Sequence, residues 1–348
     1  MTTILVSSFL LNIFSFFNLL GINKTFAFAQ LSFFIIALII FVIGKILGIE
    51  YFKKNYKFFY WMFIFLLLFT FIIGDVIRGS KRWISLYFFN FQPSEFFKIF
   101  FIIFLSKIIS QNENDIEKRS FVIKILLYLA LPFFIVFKQP DLGNALSYIA
   151  IMVLILLFSK IPKKYIFNLF LIFILILPLG WNILKDYQKN RVVSFFIAQE
   201  GTQGSNYNMI QSKIAAGSGK FLGRGLGYGT QSKLFFLPES HTDFAFSSLT
   251  EQFGFIGGFL IILLYFLICI NLIKIIMKFY LRGTSEDRFY LYYCVGLLGY
   301  LSFQIFVNIA MNLGSFPITG VSLPIISYGG SSLLTFALGI ALLPSNKV

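Results

Sequence analysis

Three groups able to take up or release a proton stand within five residues of one another in the stretch Leu237-Pro-Glu-Ser-His-Thr-Asp-Phe-Ala-Phe, namely Glu239, His241 and Asp243. An apolar run follows at once, so Asp243 lies where polar chain meets hydrocarbon. Such surroundings favour proton uptake by a carboxylate and suit a general base. On spacing alone, Thr242 or Asp243 serves equally well as a helix N-cap. Glu95 and Lys98, three apart on a helix opened by Pro93-Ser94, pair on one face, as an ion pair that orients the helix or as functional charges. Asp141 follows Pro140 and opens another apolar run, where the positive end of a helix stabilises a carboxylate. The glycine-rich stretch Ala216-Gly-Ser-Gly-Lys-Phe-Leu-Gly-Arg-Gly-Leu-Gly-Tyr-Gly-Thr is no P-loop, because that motif needs glycine where Ile214 stands. Its backbone N–H groups, with Lys213, Lys220, Arg224 and Lys233 nearby, can still face a pyrophosphate at a membrane surface; a flexible loop with incidental charges is the plainer reading.

The rest of the inventory removes whole classes of chemistry. There is one histidine, and the two cysteines, Cys269 and Cys294, lie inside apolar runs. Zinc sites, Cys–His nucleophiles and disulfide frameworks are therefore excluded. Of the 348 residues, 58% are hydrophobic and only 12% charged, where a soluble domain carries about 25% charged residues. So few charges cannot cover a soluble surface, and the chain reads as a polytopic membrane protein. The net charge of +15 is spread between apolar stretches, unlike the concentrated face of a nucleic-acid module, so no nucleic-acid partner is expected. The 49 phenylalanines follow no helical face and read as bulk turned toward membrane lipids.

Ten apolar segments suffice to hold these groups at the membrane: Ile4–Ile22, Phe26–Leu47, Phe58–Ile77, Ser94–Ile109, Phe121–Phe137, Leu142–Phe158, Tyr165–Leu184, Phe244–Ile276, Phe289–Met311 and Ser327–Leu343. A crossing takes about 20 residues. The first has no basic residue before it and no small-residue cleavage site, so it reads as a retained span. Loops after even-numbered spans hold most Lys and Arg, including Lys53, Lys54, Lys57, Lys118, Arg119, Lys163, Lys164 and Arg282. That bias puts both termini in the cytoplasm. The expected fold is all-α, a single domain over 1–348, with one long extracytoplasmic loop over 185–242 between the seventh and eighth spans. The other outer loops, Gly74–Pro93 among them, are short and polar. Eight of the fourteen acids, Asp75, Glu95, Asp141, Asp186, Glu200, Glu239, Asp243 and Glu251, then fall in the outer half. No internal repeat is visible, which speaks against a transporter built from duplicated halves.

Several ordered blocks resemble those of the SEDS family (shape, elongation, division and sporulation) over nearly the whole chain. They are Gly79-Ser-Lys-Arg-Trp-Ile, Phe91-Gln-Pro-Ser-Glu-Phe-Phe-Lys, Lys138-Gln-Pro-Asp-Leu-Gly-Asn-Ala, Gln211-Ser-Lys-Ile-Ala-Ala-Gly-Ser-Gly, Gly229-Thr-Gln-Ser-Lys-Leu-Phe-Phe-Leu-Pro-Glu-Ser-His-Thr-Asp-Phe and Pro317-Ile-Thr-Gly-Val-Ser-Leu-Pro-Ile-Ile-Ser-Tyr-Gly-Gly-Ser-Ser. The Gly-Thr-Gln-Ser and Gln-Pro-Asp-Leu-Gly forms are more similar to the rod-shape branch, RodA, than to the division branch, FtsW. The resemblance implies a ten-span peptidoglycan glycosyltransferase of the cytoplasmic (inner) membrane. Such an enzyme polymerises lipid II on the extracytoplasmic face during cell-wall elongation, beside a class B penicillin-binding protein transpeptidase. It implies that Asp243 is catalytic. Two positions depart from the pattern: Ala245 replaces an isoleucine, and Gln252 stands where a second glutamate after Glu251 is frequent.

In the implied reaction a sugar 4-hydroxyl attacks an anomeric carbon and expels undecaprenyl pyrophosphate with inversion. The leaving group is good, so a lone base suffices, with basic side chains offsetting the pyrophosphate charge. No cofactor is required; a divalent cation, Mg or Mn, is compatible with that charge. The substrate-binding set expected is Arg82, Glu95, Lys98, Lys138, Gln139, Asp141, Gln211, Ser212, Lys213, Gly217, Gly219, Lys220, Arg224, Lys233, Glu239, His241 and Thr242. A groove between spans must admit the polyprenyl tail. The rival reading is a flippase for lipid II or another lipid-linked precursor, which needs ionisable residues along a path through the bilayer. Within a span only the Glu95–Lys98 neighbourhood fits that demand. A scaffold recruiting other wall enzymes is a third reading.

Overall fold

The computed structural model describes residues 1–77, 80–86, 89–112, 115–168 and 205–344, with isolated positions at 171, 189 and 193. Among them the chain runs through α1 (Thr2–Ile22), α2 (Lys24–Lys54), α3 (Tyr56–Ile73), strands β1 (Asp75–Ile77), β2 (Ser80–Leu86) and β3 (Phe89–Phe91), then α4 (Pro93–Gln111), α5 (Arg119–Lys138) and α6 (Leu142–Phe158). It continues through α7 (Ser205–Ser218), α8 (Thr230–Lys233), α9 (Ala245–Arg282), α10 (Ser285–Asn312) and α11 (Gly330–Ala341). Six of these helices, α1, α2, α3, α5, α9 and α10, are long and apolar enough to cross a membrane. The protein is thus a multi-pass α-helical membrane protein. The expected seventh span, Tyr165–Leu184, and the acids Asp186 and Glu200 lie almost wholly outside the described residues.

At the centre stands α4, enclosed by α3, α6, α10 and α11 and buried along nearly its whole length. Aromatic side chains fill the space around it, with Tyr60 stacked on Phe104 at 3.9 Å and Phe63 on Phe100 at 4.5 Å. Because α4 is covered by protein on every side, polar groups such as Glu95 and Lys98 can be carried inside the bundle without meeting lipid.

Three local features differ from the expectation. The third span stops at Ile73, and the connection to α4 is an antiparallel meander, with Asp75 paired to Trp83 and Ile84 to Phe91. A short connection at a membrane surface must satisfy its own backbone, and strand pairing does so internally. The eighth span is two pieces, because Gly254 takes a left-handed φ of 69° inside α9. The residues before that break, Ser247, Ser248, Thr250, Glu251 and Gln252 among them, are polar and buried in the protein. From the loop expected over 185–242, α7 packs on α9 and α10, and α8 sits against α7 and α9.

Candidate active site

The segment carrying Asp243 is a tight turn. Glu239, at φ 58°, accepts through its carbonyl from the amides of Thr242 and Phe244, both at 3.1 Å, and its carboxylate accepts from the Thr242 hydroxyl at 2.8 Å. That turn delays the helix, so the N-cap of α9 is Phe244, and neither Thr242 nor Asp243 caps it. The next carbonyls are each held from elsewhere. Tyr328 N donates to His241 O at 2.7 Å, Ser327 Oγ to Thr242 O at 2.7 Å, and the amides of Asn308 and Asn312 to Asp243 O at 3.0 and 2.9 Å. Three consecutive backbone carbonyls are therefore fixed by α10 and by the turn before α11. Asp243 itself stays half-buried, and the His241 ring stacks on Phe26 at 4.3 Å.

Asn308 and Asn312 were not singled out from the sequence. They are fully buried, four residues apart, and on one face of α10. Asn312 Oδ1 also accepts from Ser247 N at 2.9 Å, and its carbonyl accepts from Ser212 Oγ at 2.8 Å. Two amides at helical spacing in an apolar run were the available signal, since unpaired amides there are costly.

A second cluster forms around Asp141, which is 1% exposed. It caps α6, accepting from Asn144 N at 3.3 Å and Asn144 Nδ2 at 2.8 Å, as its position after Pro140 suggested. Gln92 Nε2 donates to it at 2.7 Å, and Arg82 from β2 lies 3.4 Å away. Gln139 is turned elsewhere, its amide donating to Leu67 O and Thr70 Oγ1 and so tying α5 to α3. Behind Asp141, Lys98 Nζ meets Glu95 Oε1 at 2.8 Å with both side chains buried, and Lys98 Nζ lies 5.3 Å from the Tyr300 ring centre. The turn before α11 and the first residues of that helix join the two clusters: Gln92 N donates to Ser331 Oγ at 3.0 Å, three residues beyond the Tyr328 that holds His241.

The glycine-rich stretch departs from the expectation. Arg224 N and Gly225 N donate to the carbonyls of Glu251 and Gln252, and Gly227 N donates to Gln252 Oε1. The anion in this loop is the chain's own: the buried Glu251 carboxylate accepts from Gln231 N, Ser232 N and Ser232 Oγ at 2.8, 3.0 and 2.7 Å. These N–H groups therefore hold the loop to α9 and do not face outward to a pyrophosphate. Gly219 is needed for close approach, since a Cβ there would lie 2.0 Å from Thr250 O, whereas Gly217 faces open space. Ser212 is buried against Ser247, and Gln211 is half-buried. Lys213, Lys220, Arg224 and Lys233 are exposed; Lys213 lies along Gly314, and Arg224 donates to Thr230 Oγ1 at 3.0 Å.

An apolar groove of about 490 Å³ runs between α3 and α5, lined by Leu68, Phe71, Leu127, Leu131 and Phe134 and ending at Lys138, one residue from Gln139 and three from Asp141. Among the described residues no three His, Cys, Asp or Glu side chains converge as a metal-ligand set.

The family described as FtsW/RodA/SpoVE cell cycle protein matches residues 1–347. A "probable peptidoglycan glycosyltransferase FtsW" from Wigglesworthia glossinidia brevipalpis is 36% identical over 287 residues, covering 80% of this chain and 72% of the relative. "Peptidoglycan glycosyltransferase MrdB" from Helicobacter pylori is 35% identical over 282 residues, covering 80% and 71%. The solved rod shape determining protein RodA of Thermus thermophilus superposes with a TM-score of 0.71 at 22% identity, covering 98% of this chain and 94% of that one. A chain solved in a study of polymerization and crosslinking by a peptidoglycan synthase complex gives a TM-score of 0.81 at 24% identity, covering 98% and 95%.

Proposed function

The chain belongs to the SEDS family of peptidoglycan glycosyltransferases, the FtsW/RodA/SpoVE group, and from that premise we propose how its residues polymerise lipid II. Asp243 takes the proton from the 4-hydroxyl of the acceptor sugar as that oxygen attacks the anomeric carbon of the donor. The new glycosidic bond forms as the bond to undecaprenyl pyrophosphate breaks, with inversion, and the pyrophosphate leaves as the anion. The observation that supports this reading is the clamp on the backbone carbonyls of His241, Thr242 and Asp243, which fixes the chain that carries one half-buried carboxylate. A base whose backbone is already fixed has less to reorganise during the reaction.

Arg82, Lys138, Lys213 and Lys233 are the cations assigned to the pyrophosphate. The groove between α3 and α5 takes the polyprenyl tail of one substrate, with Lys138 at its polar end. The Lys and Arg excess in loops after even-numbered spans supports a site on the extracytoplasmic face of the inner membrane, with both termini in the cytoplasm. A class B penicillin-binding protein is the transpeptidase partner, in keeping with the synthase complex to which a structurally similar chain belongs.

Glycan formation from lipid II by the purified protein in liposomes tests the reading, with translocation of labelled lipid II measured in parallel. Translocation without polymer would favour the flippase. Two variants probe the parts. Asn312→Ala leaves the Ser247 amide without its acceptor and removes one of the two donors to Asp243 O; kcat falls about 10-fold or more with KM for lipid II nearly unchanged, and amide exchange over 239–244 quickens. Ala130 also lines the groove, and Ala130→Trp fills it; KM for lipid II rises about 10-fold while a substrate with a shortened tail is affected less.

A further inference from the structure

We propose that residues 220–224 form an interfacial foot, with Phe221 and Leu222 in the upper acyl region of the bilayer and Lys220 and Arg224 on the phosphates of anionic phospholipids. The placement follows from how the loop is joined to α9. After the break at Gly254, the first free N–H groups of the membrane-crossing part, Phe255 N and Ile256 N, donate to Lys220 O at 2.8 Å and Phe221 O at 3.3 Å. In the other direction Arg224 N and Gly225 N donate to the carbonyls of Glu251 and Gln252 at 2.9 and 3.0 Å. The backbones approach so closely that a Cβ on Gly223 would lie 2.2 Å from Gln252 O. The loop is therefore locked at the level where α9 begins its passage through lipid.

Its side chains continue the lipid-facing surface of that helix. The Phe221 ring stacks on Phe255 at 5.9 Å, and Phe255 on Phe259 at 6.3 Å, both exposed on the outside of α9. Phe221 and Leu222 are 63% and 77% exposed. Bulky apolar groups left so open beside a lipid-facing stripe are accounted for by the bilayer, and aromatic rings gather at the headgroup level. Lys220 and Arg224 flank them, both exposed, and cations at that depth attract anionic headgroups. This assigns Lys220 and Arg224 to bilayer lipid in place of the substrate pyrophosphate.

The full-length protein in nanodiscs of phosphatidylglycerol provides the test, using Leu222→Trp and reading its fluorescence as the difference from the parent. Phospholipids brominated in the upper acyl chain are expected to quench the added tryptophan more strongly than those brominated deep, and aqueous iodide to have little effect. Full access to iodide with no quenching by bromolipid would overturn the foot and turn this face to water or a protein partner. Lys220→Ser with Arg224→Ser, in one chain, is expected to retain about 10-fold less phosphatidylglycerol by native mass spectrometry, with phosphatidylcholine retention unchanged. Equal phosphatidylglycerol retention would overturn the headgroup contact. So would a rise in KM for lipid II in phosphatidylcholine discs with phosphatidylglycerol retention unaltered, which would return both residues to the pyrophosphate.

Discussion

Asp243→Asn is expected to lower the rate of glycan polymerisation by about 10²–10⁴-fold, the contribution of one positioned general base. The substitution keeps the shape of the side chain and leaves the carbonyl that Asn308 and Asn312 hold untouched. The loss should therefore appear in kcat, with KM for lipid II and thermal stability close to those of the parent. Polymer yield followed over time on purified protein, with a melting curve on the same sample, measures both. An Asp243→Asn protein that elongates glycan at the parental rate would end the assignment of the base, and with it the mechanism.

Removal of Lys98 should be the most destabilising of the single changes. Lys98 is fully enclosed, and its ammonium is paired at 2.8 Å with a carboxylate that is itself buried. Lys98→Met strands Glu95 inside the bundle, and breaking a buried pair from one side costs about 3–5 kcal/mol. Glu95→Gln with Lys98→Met together removes both charges and should recover most of that stability, because the pair's mutual attraction largely offsets its desolvation. Unfolding in detergent of the two single variants and the double variant forms the cycle. A Lys98→Met protein as stable as the parent would refute the pair's structural weight. Polymerisation by the stable double variant separates roles: full activity means the pair only holds α4 in place, and lost activity means the charges act on substrate.

Much of the molecule could be read from neighbouring residues. Glu95 and Lys98 are three apart on a helix, and Asp141 caps the run that follows it, so both geometries are local and both are present. Most of the apolar segments that lie in described residues became helices within a few positions of the expected bounds, because hydrocarbon length sets the length of a span. The misreadings share one cause. The glycine stretch suggested outward N–H groups, but its acceptors are Glu251 and Gln252 on the far side of the loop. The eighth segment looked like one span until Gly254, brought against Gly223, broke it.

The amino-acid string alone was enough to place this chain in a membrane and to match its motifs to a family, since solvation and spacing act along the chain, and it offered Asp243 as the candidate base. How that aspartate is held was settled by folding. Asn308, Asn312, Ser327 and Tyr328 lie 65 or more positions from the carbonyls they bind, and no local periodicity encodes such a meeting. It comes about because buried amides and hydroxyls must find partners away from water, and the packing of α10 against the turn before α11 leaves the backbone of the Asp243 segment as the partner within reach.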